Sequence, residues 1–361
     1  MIVIADDITG AAEIAGIAYE QGEDVQLMCS SSAGCRIKAT DKTAVIATDT
    51  RSMSESEAVA TTKRQVSSIF IPPLTTFLFF KKTDSALRGH VVAELTALME
   101  ATGYQRAVYM PANPSKGRII RKGTYYISGK PIHKTEFSYD PEYPAHTSSL
   151  KERFPEAEAA GIIMPDAESL GDIRQIIKTY NDGTTLFAGA ADLFSELLKT
   201  SKAPGDVRPS RHVTIAGGTT VVLCGSTQSK PLHIGIPVAP MPREVYDGST
   251  DLSLWDTTAY DEQHRLILTM PYTHRTGHEA AAHLRTMMAE MAKQLVDRQR
   301  PDHLIIEGGA TAWATLQKLG WTEFEIVNQV APGVVQMKSV TTGTVVTLKP
   351  GSYPWGSMFS G

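Results

Sequence analysis

The sequence predicts an α/β protein of two domains, each with a mainly parallel sheet flanked by helices, and a hairpin inserted in the first. Three observations carry that prediction. Short apolar runs rich in β-branched residues alternate with stretches of helical periodicity, and polar loops join them, which is the signature of a parallel sheet. The length, 361 residues, suffices for two cores. The stretch Thr200 to Thr219 holds Pro204, Gly205, Pro209, Gly217 and Gly218 and little that could be buried, which sets the domains at 1–205 and 206–361.

Composition narrows the class. Hydrophobic residues are 42% and charged residues 20% of the chain, as in a soluble globular protein. The net charge of -4 gives no basic balance toward nucleic acid, although Lys81-Lys82 and Arg118 to Lys122 are local basic clusters. Three cysteines, Cys29, Cys35 and Cys224, have no zinc spacing and leave one over from any disulfide, which fits a reduced, cytoplasmic setting. No leader and no membrane-length apolar run is expected.

Taken in order, Ile2 to Ala5 is a buried strand, and Ala11 to Ala18 reads as a helix that begins near Gly10. Val25 to Cys29 and Ala44 to Thr48 are the next strands. Ser54 with Glu57 makes a capping box for a helix to about Ser68. Phe77 to Phe80 is a strand, about His90 to Ala101 a helix, and Ala107 to Met110 a strand. Alternation then breaks. Tyr125 to His133 reads as a hairpin turning at Gly129, placed where a lid or a subunit contact of a homodimer would sit. Arg118 to Lys122 is either a solvated basic turn or an anion site. Strands at Ile162 and Thr185 to Gly189 alternate with helices at Leu170 to Tyr180 and Ala190 to Lys199. In the second domain a new set of units begins at Thr220 to Ser226, with Gly225-Ser226 after its strand, and His303 to Glu307 is a strand. Thr276 with Glu279 caps a long helix to about Gln299, whose Met287, Met288 and Met291 stripe reads as packing. Val334 to Ser339 and Thr344 to Lys349 close the domain as an antiparallel pair.

The chemistry gathers at strand ends. Asp6-Asp7, Asp49 with Arg51, and Asp84 with Arg88 each follow an apolar strand, and parallel strands align such ends along one sheet edge. Acids accept hydrogen bonds from sugar hydroxyls, and arginines grip a carboxylate at two points, so the set predicts a small ligand with both groups. Against this, Asp6 alone could cap the first helix, and Asp49 with Arg51 could be a surface ion pair. Gly225-Ser226 and Gly308-Gly309 also follow apolar strands, where backbone N–H groups and a helix start suit phosphate. No Walker A motif and no dinucleotide fingerprint is present.

The motifs resemble a known family. Ala5-Asp6-Asp7-Ile8-Thr9-Gly10-Ala11 and Lys82-Thr83-Asp84-Ser85-Ala86-Leu87-Arg88-Gly89 look like the A-D-D-x-T-G-A and K-x-D-S-x-x-R-G segments of the four-carbon acid sugar kinases. Asp49-Thr50-Arg51, Pro114 with Gly117-Arg118, Gly129 and Asp140-Pro141 fall in register with that family's pattern. Such kinases phosphorylate threonate, erythronate or 3-oxo-tetronate with ATP, the first half binding the acid and the second the nucleotide. The resemblance implies that Asp6, Asp49, Arg51, Lys82, Ser85 and Arg88 bind substrate and that Asp7 or Asp84 accepts the proton. It implies that Ser226, Gly308, Gly309, Ala310, Thr311 and Gly351 line ATP, with Mg²⁺ expected beside it and no protein ligand for the metal evident. The family usually has an acid at the position of Ala310, and its closing K-S-G-N-F-G is here Lys349-Pro350-Gly351-Ser352-Tyr353-Pro354-Trp355-Gly356. A sugar-acid-binding protein, or another sugar-acid enzyme without phosphoryl transfer, is the alternative.

Overall fold

The structure, a computed structural model, describes residues 1–30, 43–69, 78–140, 142–200, 218–226, 232–270, 277–351, 353–356 and 358. The expected cap Thr276, and also Cys35, Phe77, Pro141, Ser352 and most of the linker, lie outside them. The chain forms two compact units, Met1–Val207 and Arg208–Gly361.

The first unit alternates as its sequence pattern demands. Its elements are β1 (Ile2–Ala5), α1 (Ile8–Glu20), β2 (Val25–Cys29), β3 (Thr43–Ala47), α2 (Glu55–Ser68), β4 (Phe79–Lys82), α3 (Val91–Thr102) and β5 (Arg106–Met110). After them come β6 (Arg118–Arg121), β7 (Thr124–Ile127), β8 (Lys130–Pro131), α4 (Leu150–Arg153), β9 (Ile162–Ile163), α5 (Leu170–Tyr180), β10 (Thr185–Gly189) and α6 (Ala191–Thr200). The parallel strands lie in the order β2-β3-β1-β4-β10-β5-β9. The β1–α1–β2 crossover therefore runs one way across the sheet and β3–α2–β4 the other. Right-handed crossovers then place α1 and α2 on opposite faces, which makes the ends of β1, β3 and β4 a topological switch point.

The insertion is larger than the predicted hairpin. β6, β7 and β8 form a three-stranded antiparallel sheet. Arg118 to Lys122 is thus an edge strand and its turn rather than a solvated loop. Lys122-Gly123 (φ 49° and 68°) and Ser128-Gly129 (φ 47° and 78°) are left-handed at both central positions, the tight turn that suits hairpin twist.

The second unit contains β11 (Thr220–Cys224), β12 (Val238–Pro240), α7 (Arg243–Asp247), α8 (Thr258–Gln263), β13 (Arg265–Thr269) and α9 (His278–Arg298). It continues with β14 (His303–Glu307), α10 (Gly309–Leu319), β15 (Glu323–Ala331), β16 (Val334–Ser339) and β17 (Val345–Lys349). Its strands run β12-β13-β11-β14-β17-β16-β15, parallel as far as β17 and antiparallel beyond. Leu284, Met287, Met288 and Met291 on α9 are buried, as expected of packing residues. Among the described residues no helix is long and apolar enough to cross a membrane.

Candidate substrate site and nucleotide turn

The first site is built outward from β1. Asp7 has extended backbone (φ −147°, ψ 162°) and is the N-cap residue of α1. Its Oδ1 accepts the Gly10 N–H at 2.9 Å, and its Oδ2 accepts the Thr9 hydroxyl. The capping acid is therefore Asp7 and not Asp6, and the helix opens at Ile8, two residues before the expected start. An extended cap residue turns its carboxylate back over the first turn, and Asp7 is the residue placed to do so. Gly10 has to be small, because a Cβ there would lie 2.6 Å from Asp7 Oδ1 and 3.2 Å from Lys82 Nζ.

Freed from capping, Asp6 turns inward to Arg51. Arg51 Nε donates to Asp6 Oδ2 at 3.0 Å, and its Nη2 lies 2.9 Å from Asp6 Oδ2 and 3.1 Å from Asp7 Oδ1. Arg51 Nη1 reaches Asp84 Oδ1 at 3.7 Å. Arg88 holds Asp84 with Nε to Oδ2 at 2.8 Å and Nη2 to Oδ1 at 3.0 Å, and its Nη1 reaches Asp140 Oδ2 at 3.3 Å. The three predicted loops do converge, but both arginines are engaged by the protein's own carboxylates.

The three acids are electrostatically distinct. Burial pushes the Asp6 carboxyl up, Arg51 opposes that and Asp7 adds to it, so Asp6 ends raised. Burial also pushes on Asp7, but Arg51, Lys82, Thr9 and the Gly10 N–H outweigh it and leave the carboxyl lowered. At Asp84, burial is overcome by Arg51 and then Arg88, which hold it well below the usual carboxylate range. Asp6 Oδ1 is buried and accepts no hydrogen bond among the described residues.

Other nominated residues sit around this hub. Lys82 Nζ donates to the Thr83 carbonyl at 3.0 Å and lies 3.6 Å from Glu13 Oε2. Ser85 Oγ accepts from Arg118 Nη1. Asp49 is left-handed (φ 55°) and accepts from Ser52 Oγ at 2.7 Å, while Arg51 turns to Asp6, Asp7 and Asp84. The sequence-level alternative of an Asp49–Arg51 surface pair thus gives way to a half-buried arginine hub.

Several supporting residues escaped the sequence reading. Lys81 is not an anion site: it is fully buried and paired with Glu94 of α3, whose Oε2 also accepts from the Thr50 hydroxyl at 2.7 Å. Thr50 lies 3.0 Å from the Thr48 hydroxyl, which donates to the Ala5 carbonyl at 2.8 Å. This chain ties the Arg51 loop to the end of β1. The loops around the insertion add the Tyr143 hydroxyl, which donates to the Arg51 carbonyl at 2.7 Å, and β7 adds that of Tyr125, which donates to the Ser85 carbonyl at 2.6 Å. A lysine inside an apolar strand and a glutamate on the buried side of a helix were the legible signal; their pairing was not.

In the second unit, β11, β14 and β17 are parallel neighbours in the register Cys224↔Glu307↔Lys349. The turns that follow them therefore meet. Gly225 N donates to the Glu307 carbonyl at 3.2 Å, and Gly308 N to the Lys349 carbonyl at 2.9 Å. A Cβ on Gly351 would overlap the Ser226 hydroxyl, and one on Gly225 would overlap Thr311. Ser226, Gly308, Thr311 and Gly351 are thus brought together. Gly308 is the N-cap of α10 with φ 98°, so the demand for glycine falls on Gly308 and not on Gly309, which is the first helical residue. Gly308 has no side chain to cap the helix, so the first N–H groups of α10 are left for an outside acceptor, which fits a phosphate. Ala310 is exposed on that first turn.

Beneath the turn lies a buried ion pair, Glu307 with Lys349. Lys349 Nζ also donates to the Pro350 and Gly351 carbonyls, at 3.1 Å each, and lies 5.0 Å from the Trp355 ring centroid. Burial, with Glu307 adding to it, pushes the Cys224 thiol up to about 12, so it stays protonated. Among the described residues no group of three or more His, Cys, Asp or Glu is arranged to hold a metal ion.

A family model described as a sugar-binding N-terminal domain matches residues 1–178, and one described as a nucleotide-binding C-terminal domain matches residues 253–353. The 3-oxo-tetronate kinase of Actinobacillus succinogenes is 25% identical over 97% of this chain and 96% of its own length. The D-threonate kinase of Salmonella typhimurium is 34% identical over 152 residues, 42% of this chain and 35% of that protein. The crystal structure of a Haemophilus influenzae protein superposes with a TM-score of 0.69 at 20% identity, covering 100% of this chain and 98% of that one. That of a Salmonella typhimurium protein gives 0.72 at 20% identity, covering 99% and 97%. At such identity the two structures speak for the fold. Two α/β units, the first bearing an acid-and-arginine cluster and the second a glycine turn at an uncapped helix, define the class. The chain belongs to the four-carbon acid sugar kinase family.

Proposed function

We propose that this chain is an ATP-dependent kinase that phosphorylates a hydroxyl of a four-carbon sugar acid of the threonate, erythronate or 3-oxo-tetronate type. The observation that supports it most is the gathering of Asp6, Asp7 and Asp84 around Arg51 at a sheet switch point. Ligands of open α/β sheets bind at such points.

In this reading the acid lies against the ends of β1, β3 and β4. Asp7 accepts the proton of the attacking hydroxyl. Arg88 occupies both oxygens of Asp84, so Asp84 orders its loop instead. Asp6 offers its unpartnered Oδ1 to a substrate hydroxyl. Lys82, beside Asp7 and Gly10, balances developing negative charge. The uncapped start of α10, with Ser226, Thr311 and Gly351, receives the nucleotide phosphates. ATP with Mg²⁺ supplies the phosphoryl group and the charge neutralisation that its transfer needs. A cytoplasmic setting belongs to the same reading and suits the buried thiol of Cys224.

A second reading, a sugar-acid-binding protein without transfer, draws on the first turn of α10, which carries no acid. Thermal-shift measurements separate the two. Stabilisation by a four-carbon acid and, independently, by Mg-ATP is expected of the kinase. Stabilisation by the acid alone favours the binder.

A further inference from the structure

A sugar-acid kinase needs a cation for the substrate carboxylate, and the two arginines that the sequence nominates are engaged elsewhere. Arg51 is ringed by Asp6, Asp7 and Asp84, and Arg88 by Asp84 and Asp140. Lys82 faces Glu13. One cation at the same loops is different. Arg118 opens β6, and its backbone is fixed by reciprocal hydrogen bonds with Asn113 at 2.8 and 3.1 Å. Its Nη1 donates to the Ser85 hydroxyl, next in sequence to Asp84. Its guanidinium lies 5.8 Å from the Phe137 ring centroid, the ring that Arg88 also faces at 5.9 Å.

Among the described residues no carboxylate oxygen lies within the 4.0 Å ion-pair distance of Arg118. A guanidinium carries five N–H donors, and Ser85 takes one. Arg118 is half-buried, where an added carboxylate is attracted more strongly than in open water. Arg121, three residues along the same strand, shows the contrast: it pairs with Glu168 on the exposed side. The fork of Arg118 is held, partly desolvated and, among the described residues, lacking a carboxylate partner, beside the loop that carries Asp84.

We infer that Arg118, positioned by Ser85 and Phe137, binds the carboxylate of the four-carbon acid and sets the preference for acids over neutral sugars of the same length. This rests on the kinase reading above and names the group that reads the acid end.

The test compares threonate with threonamide, its neutral amide, in calorimetry and in ADP-release kinetics. Arg118→Gln is expected to weaken threonate binding at least about tenfold, the scale of one charge-assisted hydrogen bond. Threonamide binding and the KM for ATP stay as in wild type, and Arg118→Lys recovers part of the loss because it keeps charge without the fork. An acid-over-amide preference that survives in folded Arg118→Gln overturns the inference and leaves the kinase reading standing. If wild type binds neither threonate nor ATP, the kinase reading fails and takes this inference with it. Should Arg118→Gln not fold, Ser85→Ala, which removes the hydroxyl that orients the guanidinium, reads the same preference. A severalfold fall supports the inference, and an unchanged preference overturns it.

Discussion

Arg88 closes both arms of its fork on Asp84, Nε on Oδ2 at 2.8 Å and Nη2 on Oδ1 at 3.0 Å. The same Oδ2 accepts the Ala86 N–H at 3.0 Å and the Arg88 N–H at 3.3 Å. An aspartate that the sequence marks as chemical therefore also builds its loop. Asp84→Asn should cost stability as well as turnover, by about 3 kcal/mol, because it leaves two guanidiniums short of a partner in a buried site. Urea denaturation of the variant checks this. The pH sign follows from a folded carboxyl held well below its ordinary value: the contribution is complete above about pH 4 and is lost as pH falls below that. The acid limb of the wild-type stability profile should flatten in Asp84→Asn.

Asp7 should behave in the opposite way. Asparagine caps helices about as well as aspartate, so Asp7→Asn keeps the Gly10 hydrogen bond and most of the stability. Turnover should fall by roughly 10²–10⁴, the usual contribution of a general base. Near-normal turnover in a folded Asp7→Asn enzyme would return the role of base to another group.

The nucleotide turn gives a paired prediction. Gly308→Ala forces a side chain into left-handed backbone at the α10 cap, whereas Gly309→Ala places one in ordinary helix. Gly308→Ala should therefore weaken ATP binding more than Gly309→Ala, with threonate binding retained in both. Equal effects in calorimetry would mean that backbone conformation is not what the turn requires.

His303 makes the second unit acid-sensitive. Burial lowers the imidazole to about 4, with Nε2 2.6 Å from the Thr347 hydroxyl. The unfolded chain then binds the extra proton between its ordinary value near 6.5 and about 4, so stability present above pH 6.5 is lost as pH falls through that window. His303→Gln should show a shallower loss over the same range, measured by thermal melts at fixed ionic strength.

Much of this was legible from residue order. The period of apolar runs located β1, β5, β10, β14 and α5, because a fully buried parallel strand must be continuously apolar. The convergence of Asp7, Arg51 and Asp84 followed from their places after such strands. What the pattern could not carry was who pairs with whom. Asp6 and Asp7 are adjacent, and only backbone geometry decides which one caps. Arg51 could equally have met Asp49 or a ligand. The strands β12, β13 and β15 went unassigned. β12 is short, β13 lies between segments without clear caps, and β15 alternates exposed and buried residues over only part of its length. Arg118 was visible as one of several basic residues and in the Gly117-Arg118 match, but its place at the site was not, since its strand and its approach to Ser85 depend on long-range pairing.

Phosphoryl transfer to a four-carbon acid is read out by coupled ADP release across a panel of threonate, erythronate and 3-oxo-tetronate stereoisomers with Mg-ATP. Acid-dependent ADP release is expected with at least one member of the panel, lowered by roughly 10²–10⁴ in Asp7→Asn. Tight binding of an acid with no ADP released by any of them would contradict it.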